Sequence, residues 1–309
     1  MGTLSWTMRT LERLRSRNIT ALEQSGYELY QGLCSRTGAL YQSHHPNGMN
    51  IYEEDWSVLI ILDACRIDLI AELASQYDFL SNPGTFTSLG SSSEEWMSKN
   101  FTRDYDGEMA NTVYISGNPF TDRVLDDDSF LVLDEVWRYN WDESLGTIRP
   151  RPITDRAITL ARETNPDRMI VHYMQPHFPS IAQPDFGSRM DPNDFDGIWK
   201  SAWTDLQTGV ISEEALWDAY LQNLHCVLDD VALLLANLDA DSVVISADHG
   251  NAIGEWGLYG HPAHVPLPCL VTVPWYTTSS TDTGEYKPTT TASSTTGEVS
   301  DQLRRLGYL

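Results

Sequence analysis

Val243-Val-Ile-Ser-Ala-Asp-His-Gly-Asn-Ala-Ile-Gly-Glu-Trp-Gly-Leu-Tyr-Gly-His261 is the stretch from which the rest of the chain is read. Val243 to Ile245 make a short apolar run of the kind found in a parallel strand buried on both faces. The pair Asp248-His249, followed by Gly250, stands where such a strand ends, and His261 comes 12 residues after His249 behind further glycines. A carboxylate beside an imidazole at a buried strand end is costly without a cation, so the segment reads as half of a metal site.

Working outward, Val58 to Leu62 form a second continuous apolar run, leading into Asp63-Ala-Cys-Arg66-Ile-Asp68. A third run, residues 169–174, leads into Gln175-Pro-His177-Phe-Pro179. Further strands are expected at 112–116, 242–247 and 269–273, with helical patterns at 5–35, through Ser75 after the first strand, at 154–163 and at 212–238. The last carries Leu221, Leu224, Val227, Leu228, Val231 and Leu235 on one stripe. Strands alternating with helices predict an α/β fold with a mostly parallel central sheet flanked by helices on both faces. In such sheets sites form at the carboxyl edge. Five of the eight histidines (172, 177, 249, 261 and 264) fall in two of the strand-end segments, which a random scatter would rarely produce.

Asp63, Asp248 and His249 are therefore the expected ligands of a divalent ion, although Asp63 would serve equally well as a helix N-cap. A nucleophile is sought in Ser88-Leu-Gly-Ser-Ser-Ser-Glu-Glu-Trp96. A hydroxyl just ahead of a helix sits on backbone N–H groups and a positive dipole end, which stabilise an alkoxide and the oxyanion it attacks. Ser93 is the choice, with Ser91 and Ser92 competing for the register. Ser92 and Glu95 also fit a capping box. His172, in mid-strand, is read as packing or hydrogen-bonding rather than ligating, His225 as a core or surface helix histidine, and Arg66 either as a neighbour of the site or as a structural ion-pair partner of Asp68.

These residues resemble the alkaline phosphatase superfamily, and within it the sulfatase-like and phosphoethanolamine-transferase-like branch. The resemblance rests on the strand ending in Asp63 with Arg66 and Asp68, on His177-Phe-Pro179, and on Asp248-His249-Gly250 through Gly254-Glu255 to Gly260-His261-Pro262. Ala219-Tyr220 in the long helix and the ending Leu303-Arg-Arg-Leu-Gly-Tyr308 support it. It implies an alkaline-phosphatase-like core, with Asp63, Ser93, Asp248 and His249 around one metal. It also implies His177 and His261 as a second-metal or oxyanion pair, with His264 competing for the place of His261. The implied ion is Zn²⁺ or Mn²⁺, with Ca²⁺ or Mg²⁺ as alternatives. The implied activity is a hydrolase or transferase acting on phosphate, or else sulfate, monoesters or diesters through a serine nucleophile. The Cys/Ser-x-Pro-x-Arg sequence of formylglycine sulfatases is missing, since Cys65 is followed by Arg66-Ile. A non-catalytic metal-binding member of the fold is the reading from another class.

At 309 residues the chain can bury one large core. The expected organisation is a helical arm over 1–50, a catalytic domain over 51–276, a polar linker over 277–298 and a closing segment of that domain over 299–309. The formal charge of −24 argues against nucleic acid as a partner. Lys99, Lys200 and Lys287 are the only lysines, and acidic clusters lie at 126–128 and 191–196. Together these suggest a salt-adapted, haloarchaeal surface. The four cysteines are scattered, Cys65 and Cys226 in apolar segments, and read as thiols. No window approaches the length of a membrane span. The expectation is thus a cytoplasmic enzyme acting on a small-molecule, glycan or lipid-head-group ester, without nucleic acid or a membrane span, and able to form homo-oligomers.

Overall fold

The structure is a computed structural model that describes residues 19–45, 48–126, 128–184, 186 and 202–291. Residues 1–18 of the expected arm, the acidic cluster at 191–196 and the closing segment 299–309 lie outside the described residues.

Seven strands form the central sheet: β1 (Val58–Leu62), β2 (Thr85–Thr87), β3 (Thr112–Ser116), β4 (Val132–Glu135), β5 (Arg168–Tyr173), β6 (Ala240–Ser246) and β7 (Thr272–Ser280). Their spatial order is β2-β7-β6-β1-β5-β3-β4. The sheet is parallel except at β7, which runs antiparallel to both β6 and β2. Around it lie helices α1 (Ile19–His44), α2 (Ile67–Leu73), α3 (Ser93–Asn100), α4 (Pro150–Thr164), α5 (Ala202–Gln207) and α6 (Glu213–Leu235). This is the mostly parallel α/β architecture expected from the sequence.

The runs that marked β1 and the end of β6 are covered on both faces. All five residues of β1 are buried, and β1 pairs Val58 with Met169 on one side and with Val243 on the other. Each strand of this central trio ends at the same edge, which brings residues 63, 174–177 and 248–249 together. Helix α6 begins where Ser212 accepts the Ala215 amide and buries Leu216, Tyr220, Leu224, Val227, Leu228 and Val231. Helix α4 opens with Pro150 and stops at Asn165, whose left-handed backbone (φ 44°) breaks the helical run.

Three boundaries differ from the sequence reading. Helix α1 does not stop near residue 35 but continues to His44. Gly38 serves close approach: a Cβ there would lie 1.8 Å from the His264 carbonyl oxygen. Residues 269–273 are not a single strand, because Pro268 starts a helical turn, Pro268–Val271, before β7 begins. Finally, β7 runs on to Ser280, so the first residues of the expected linker belong to the sheet. Farther on, the hydroxyls and amides of Thr289 and Thr290 donate to the buried Asp155, pinning the segment to α4.

Candidate metal centre

Asp63, Asp248 and His249 converge below the surface, each at most 1% exposed. One donor atom from each lies within 4.8 Å of the others. Asp63 follows β1, and the other two follow β6, so the pairing of these neighbouring strands creates the cluster. Each carboxylate uses its oxygens differently. Asp248 Oδ1 accepts the amides of Ala64 and His249, both at 2.9 Å. Asp63 Oδ2 accepts from Asn118 Nδ2 at 2.6 Å and Ser93 Oγ at 3.2 Å. Asp63 Oδ1 and Asp248 Oδ2 have no hydrogen-bond partner although buried.

Those two oxygens face His249 Nε2, at 3.8 and 3.4 Å. His249 Nδ1 lies 2.8 Å from the Gly250 carbonyl, which requires the proton on Nδ1 and leaves the Nε2 lone pair toward the carboxylates. Three lone-pair donors pointed at one another in a buried space repel unless a cation lies among them. A set of two carboxylates and one imidazole suits Zn²⁺ or Mn²⁺ as well as harder ions. The residues fit a divalent ion. Burial by itself would raise the Asp63 carboxyl, but the neighbouring His172 holds it well below the usual carboxylate range.

The three adjacent serines have separate places. Ser91 is wholly buried; its hydroxyl accepts the Val265 amide at 3.0 Å and has its one proton shared between the Pro262 carbonyl at 2.9 Å and the Glu95 carboxylate. Ser92 is the N-cap of α3. Ser93, the first residue of that helix, reaches the cluster, its Oγ 3.2 Å from Asp63 and 3.3 Å from His249 Nε2. The capping box is only half formed. Ser92 accepts the Glu95 amide, whereas the Glu95 carboxylate returns to Ser91, accepting its amide and its hydroxyl at 3.0 Å each.

Glu95 also accepts the His264 amide at 2.8 Å and faces His264 Nδ1 at 3.0 Å, with Lys99 Nζ at 2.5 Å. His264 is thereby turned away, and His261 is the histidine that enters the site. Its ring stacks on His249, with centroids 4.5 Å apart, and its Nε2 lies 2.9 Å from His177 Nε2. Nδ1 of His177 is 2.5 Å from the Phe178 carbonyl and so carries a proton, leaving the two Nε2 atoms to share one. Burial and the nearby His249 and His177 push His261 well below the ordinary histidine range, which keeps it neutral.

Arg66 forms ion pairs with Asp68 at 2.6 Å and Glu255 at 2.7 Å, and donates to the Asn251 carbonyl at 2.6 Å. It ties the Asp63 strand end to the loop leading to His261. His225 lies on the exposed side of α6 beside Asp229, far from the cluster. Three participants escaped the sequence reading: Asn118, Glu95 as a loop clamp, and His172, whose Nε2 faces both carboxylates. Only Asn118 had a visible signal, a polar residue two positions past the end of a predicted strand.

Above the centre opens a cleft of about 500 Å³ walled by Tyr27, Phe120, Phe178, Trp203 and Tyr259. Among the described residues, no lysine or arginine lines it. Helix α1 supplies one wall, held there by the Tyr27 hydroxyl accepting the Tyr259 amide at 2.9 Å.

No family model matches the chain. No curated protein matches it either. Among solved structures, it is similar to the soluble domain of lipooligosaccharide phosphoethanolamine transferase A from Neisseria meningitidis, at 14% identity and a TM-score of 0.45 over 75% of this chain and 80% of that one. It is similar also to the integral membrane protein lipooligosaccharide phosphoethanolamine transferase A from the same organism, at 13% identity and a TM-score of 0.48. That match covers 92% of this chain and 60% of the other. The C-terminal periplasmic domain of EcEptC from Escherichia coli, in complex with Zn, is similar at 13% identity and a TM-score of 0.45, over 77% of this chain and 76% of that one.

The expectation about partners is corrected by these findings. It combined an ester of a small molecule, glycan or lipid head group with the exclusion of nucleic acid and of a membrane span, and with homo-oligomers. An integral membrane protein stands among the similar structures. What holds is narrower: among the described residues, no helix is long and apolar enough to cross a membrane.

Proposed function

We propose that this chain is a metal-dependent enzyme that transfers or hydrolyses phosphate esters, with Ser93 as nucleophile. The observation that carries the reading is the Ser93 hydroxyl lying within 3.3 Å of both Asp63 Oδ2 and His249 Nε2, beside two buried carboxylate oxygens without partners. Asp63, Asp248 and His249 would hold the ion, with Ser93 at its margin. A bound divalent ion would neutralise substrate oxygens and favour the serine alkoxide.

The chain's own groups supply the rest. Ser93 directs its proton to Asp63 Oδ2, which frees an Oγ lone pair toward the cleft. In-line attack forms the Oγ–P bond as the ester P–O bond breaks. The leaving oxygen accepts a hydrogen bond from the N–H shared by His177 and His261 as it departs, and takes its proton from solvent. Water or an acceptor alcohol then attacks the phosphoserine, releasing its proton to solvent, while the departing Ser93 Oγ recovers the proton held by Asp63. The aromatic walls flank the space in which this exchange takes place.

The test is turnover of p-nitrophenyl phosphate and bis-p-nitrophenyl phosphate with Zn²⁺, Mn²⁺, Mg²⁺ or Ca²⁺ supplied separately. Ser93→Ala and Asp248→Asn are each expected to lower turnover by at least about a thousandfold while the chain stays folded. Unchanged turnover in Ser93→Ala, or none in the wild type with any ion, would remove the reading.

A further inference from the structure

Past Arg168, strand β5 places an imidazole, His172, in a buried stretch otherwise built from Met169, Ile170, Val171 and Tyr173. The ring is fully buried, packed edge-on to Trp96 with centroids 5.6 Å apart and parallel to Tyr114 at 6.2 Å. Nδ1 lies 2.9 Å from the Tyr114 hydroxyl. Nε2 has no hydrogen-bond partner, and the groups nearest in charge are Asp63 Oδ2 at 3.6 Å and Asp248 Oδ2 at 3.8 Å. An apolar residue would fill this space without the desolvation cost of an imidazole, so the ring calls for an explanation.

The tautomer follows from its neighbours. Burial pushes the Tyr114 phenol well above its ordinary range, so the hydroxyl keeps its proton and needs an acceptor. If Tyr114 donates to Nδ1, then Nε2 carries the imidazole proton and points it between two carboxylates. The opposite tautomer would aim a lone pair at both anions, which is repulsive in a buried setting. Geometry and charge select the same arrangement.

We propose that His172, fixed as its Nε2–H tautomer by Tyr114, is a positioning residue that holds Asp63 and Asp248 together from beneath. This rests on the metal reading above, and adds a buried relay from Tyr114 through His172 to the two carboxylates. Partners that orient ligating side chains typically contribute ten- to a hundredfold in metal affinity.

The experiment titrates Zn²⁺ into purified full-length protein in competition with a chromophoric chelator, using the Asp248→Asn isotherm to subtract binding at the acidic surface. His172→Leu is expected to bind about 10- to 100-fold more weakly than the wild type. His172→Gln, which retains an N–H donor near the Nε2 position, is expected to stay within about threefold. Tyr114→Phe, which leaves the ring in place, is expected to fall between them. A second readout needs no metal: imidazole nitrogen and carbon NMR shifts of the wild type should report the Nε2–H tautomer at His172, and a mixture in Tyr114→Phe. If His172→Leu does not fold, the Tyr114→Phe titration and the tautomer shifts decide.

Wild-type affinity in His172→Leu would overturn the proposal while leaving the metal site standing. An Nδ1–H tautomer in the zinc-loaded protein would also overturn it, since the ring would then be a direct ligand. Wild-type protein that binds no ion above the Asp248→Asn baseline would remove both readings together.

Discussion

Glu95→Gln changes one atom in a carboxylate that joins the start of α3 to the loop carrying His261. The side chain is 2% exposed and receives Ser91, His264 and Lys99. Burial alone would raise its pKa. The Lys99 ammonium and the backbone amides of Ser91 and His264 reverse that, bringing it from 4.5 down to about 2. That depression corresponds to about 3 kcal/mol of stability. Because the folded-state pKa is the lower one, that stability is fully present above the unfolded value and is lost as pH falls from about 5 toward 2. The amide stands in for the protonated acid, so the wild type should exceed Glu95→Gln by about 3 kcal/mol at pH 7 and by only about 1 kcal/mol at pH 3. Urea unfolding of both proteins, followed by tryptophan fluorescence and far-UV circular dichroism from pH 7 to 3, measures the gap while cancelling the other titrating groups. A gap equal at the two ends of that range would show that the charge on Glu95 does not hold the loop.

Asn118→Ala removes the 2.6 Å donor from Asp63 Oδ2 and should lower phosphate-ester turnover by about 10- to 100-fold without loss of fold, read by steady-state kinetics. Gly250→Ala would set a Cβ 2.2 Å from the Cys269 carbonyl oxygen, so a backbone shift directly beside His249 is unavoidable. Thermal unfolding should show a loss of more than about 2 kcal/mol, and a variant as stable as wild type would count against the packing described. With a formal charge of −24, the melting temperature should rise between 0.1 and 2 M NaCl as self-repulsion is screened; a flat or falling curve would oppose that view.

The central trio of strands was legible because burial on both faces leaves uninterrupted apolar runs such as Val58–Leu62. The short outer strands were not. Thr85–Thr87 and Val132–Glu135 alternate buried and more exposed positions over three or four residues, too few for a period to emerge. Thr277 to Ser280 looked like linker because polarity hides β-pairing, yet Thr277 and Thr278 pair with Val244 and Val243 across the ladder. The cluster residues Asp63, Asp248 and His249 were readable as polar groups at strand ends. His172 was not, since its meaning depends on register: β3 and β5 pair Ser116 with His172 and Tyr114 with Ile170, which puts Tyr114 and His172 on one face of the sheet. Nor could spacing divide Ser91, Ser92 and Ser93, whose roles follow from where α3 begins, with Ser92 as its cap and Ser93 as its first residue.

The adjacency of β1 and β6 carries a kinetic consequence. Their strand ends join residue 63 to residues 248 and 249, so the loop between them is among the longest closures in the chain. A nascent polypeptide still lacking its final quarter holds Asp63 and Ser93 but not Asp248 or His249, and has no complete set of donors to offer an ion. An ion held by this cluster would therefore bind late in maturation, and its binding would report that the middle of the sheet has zipped shut.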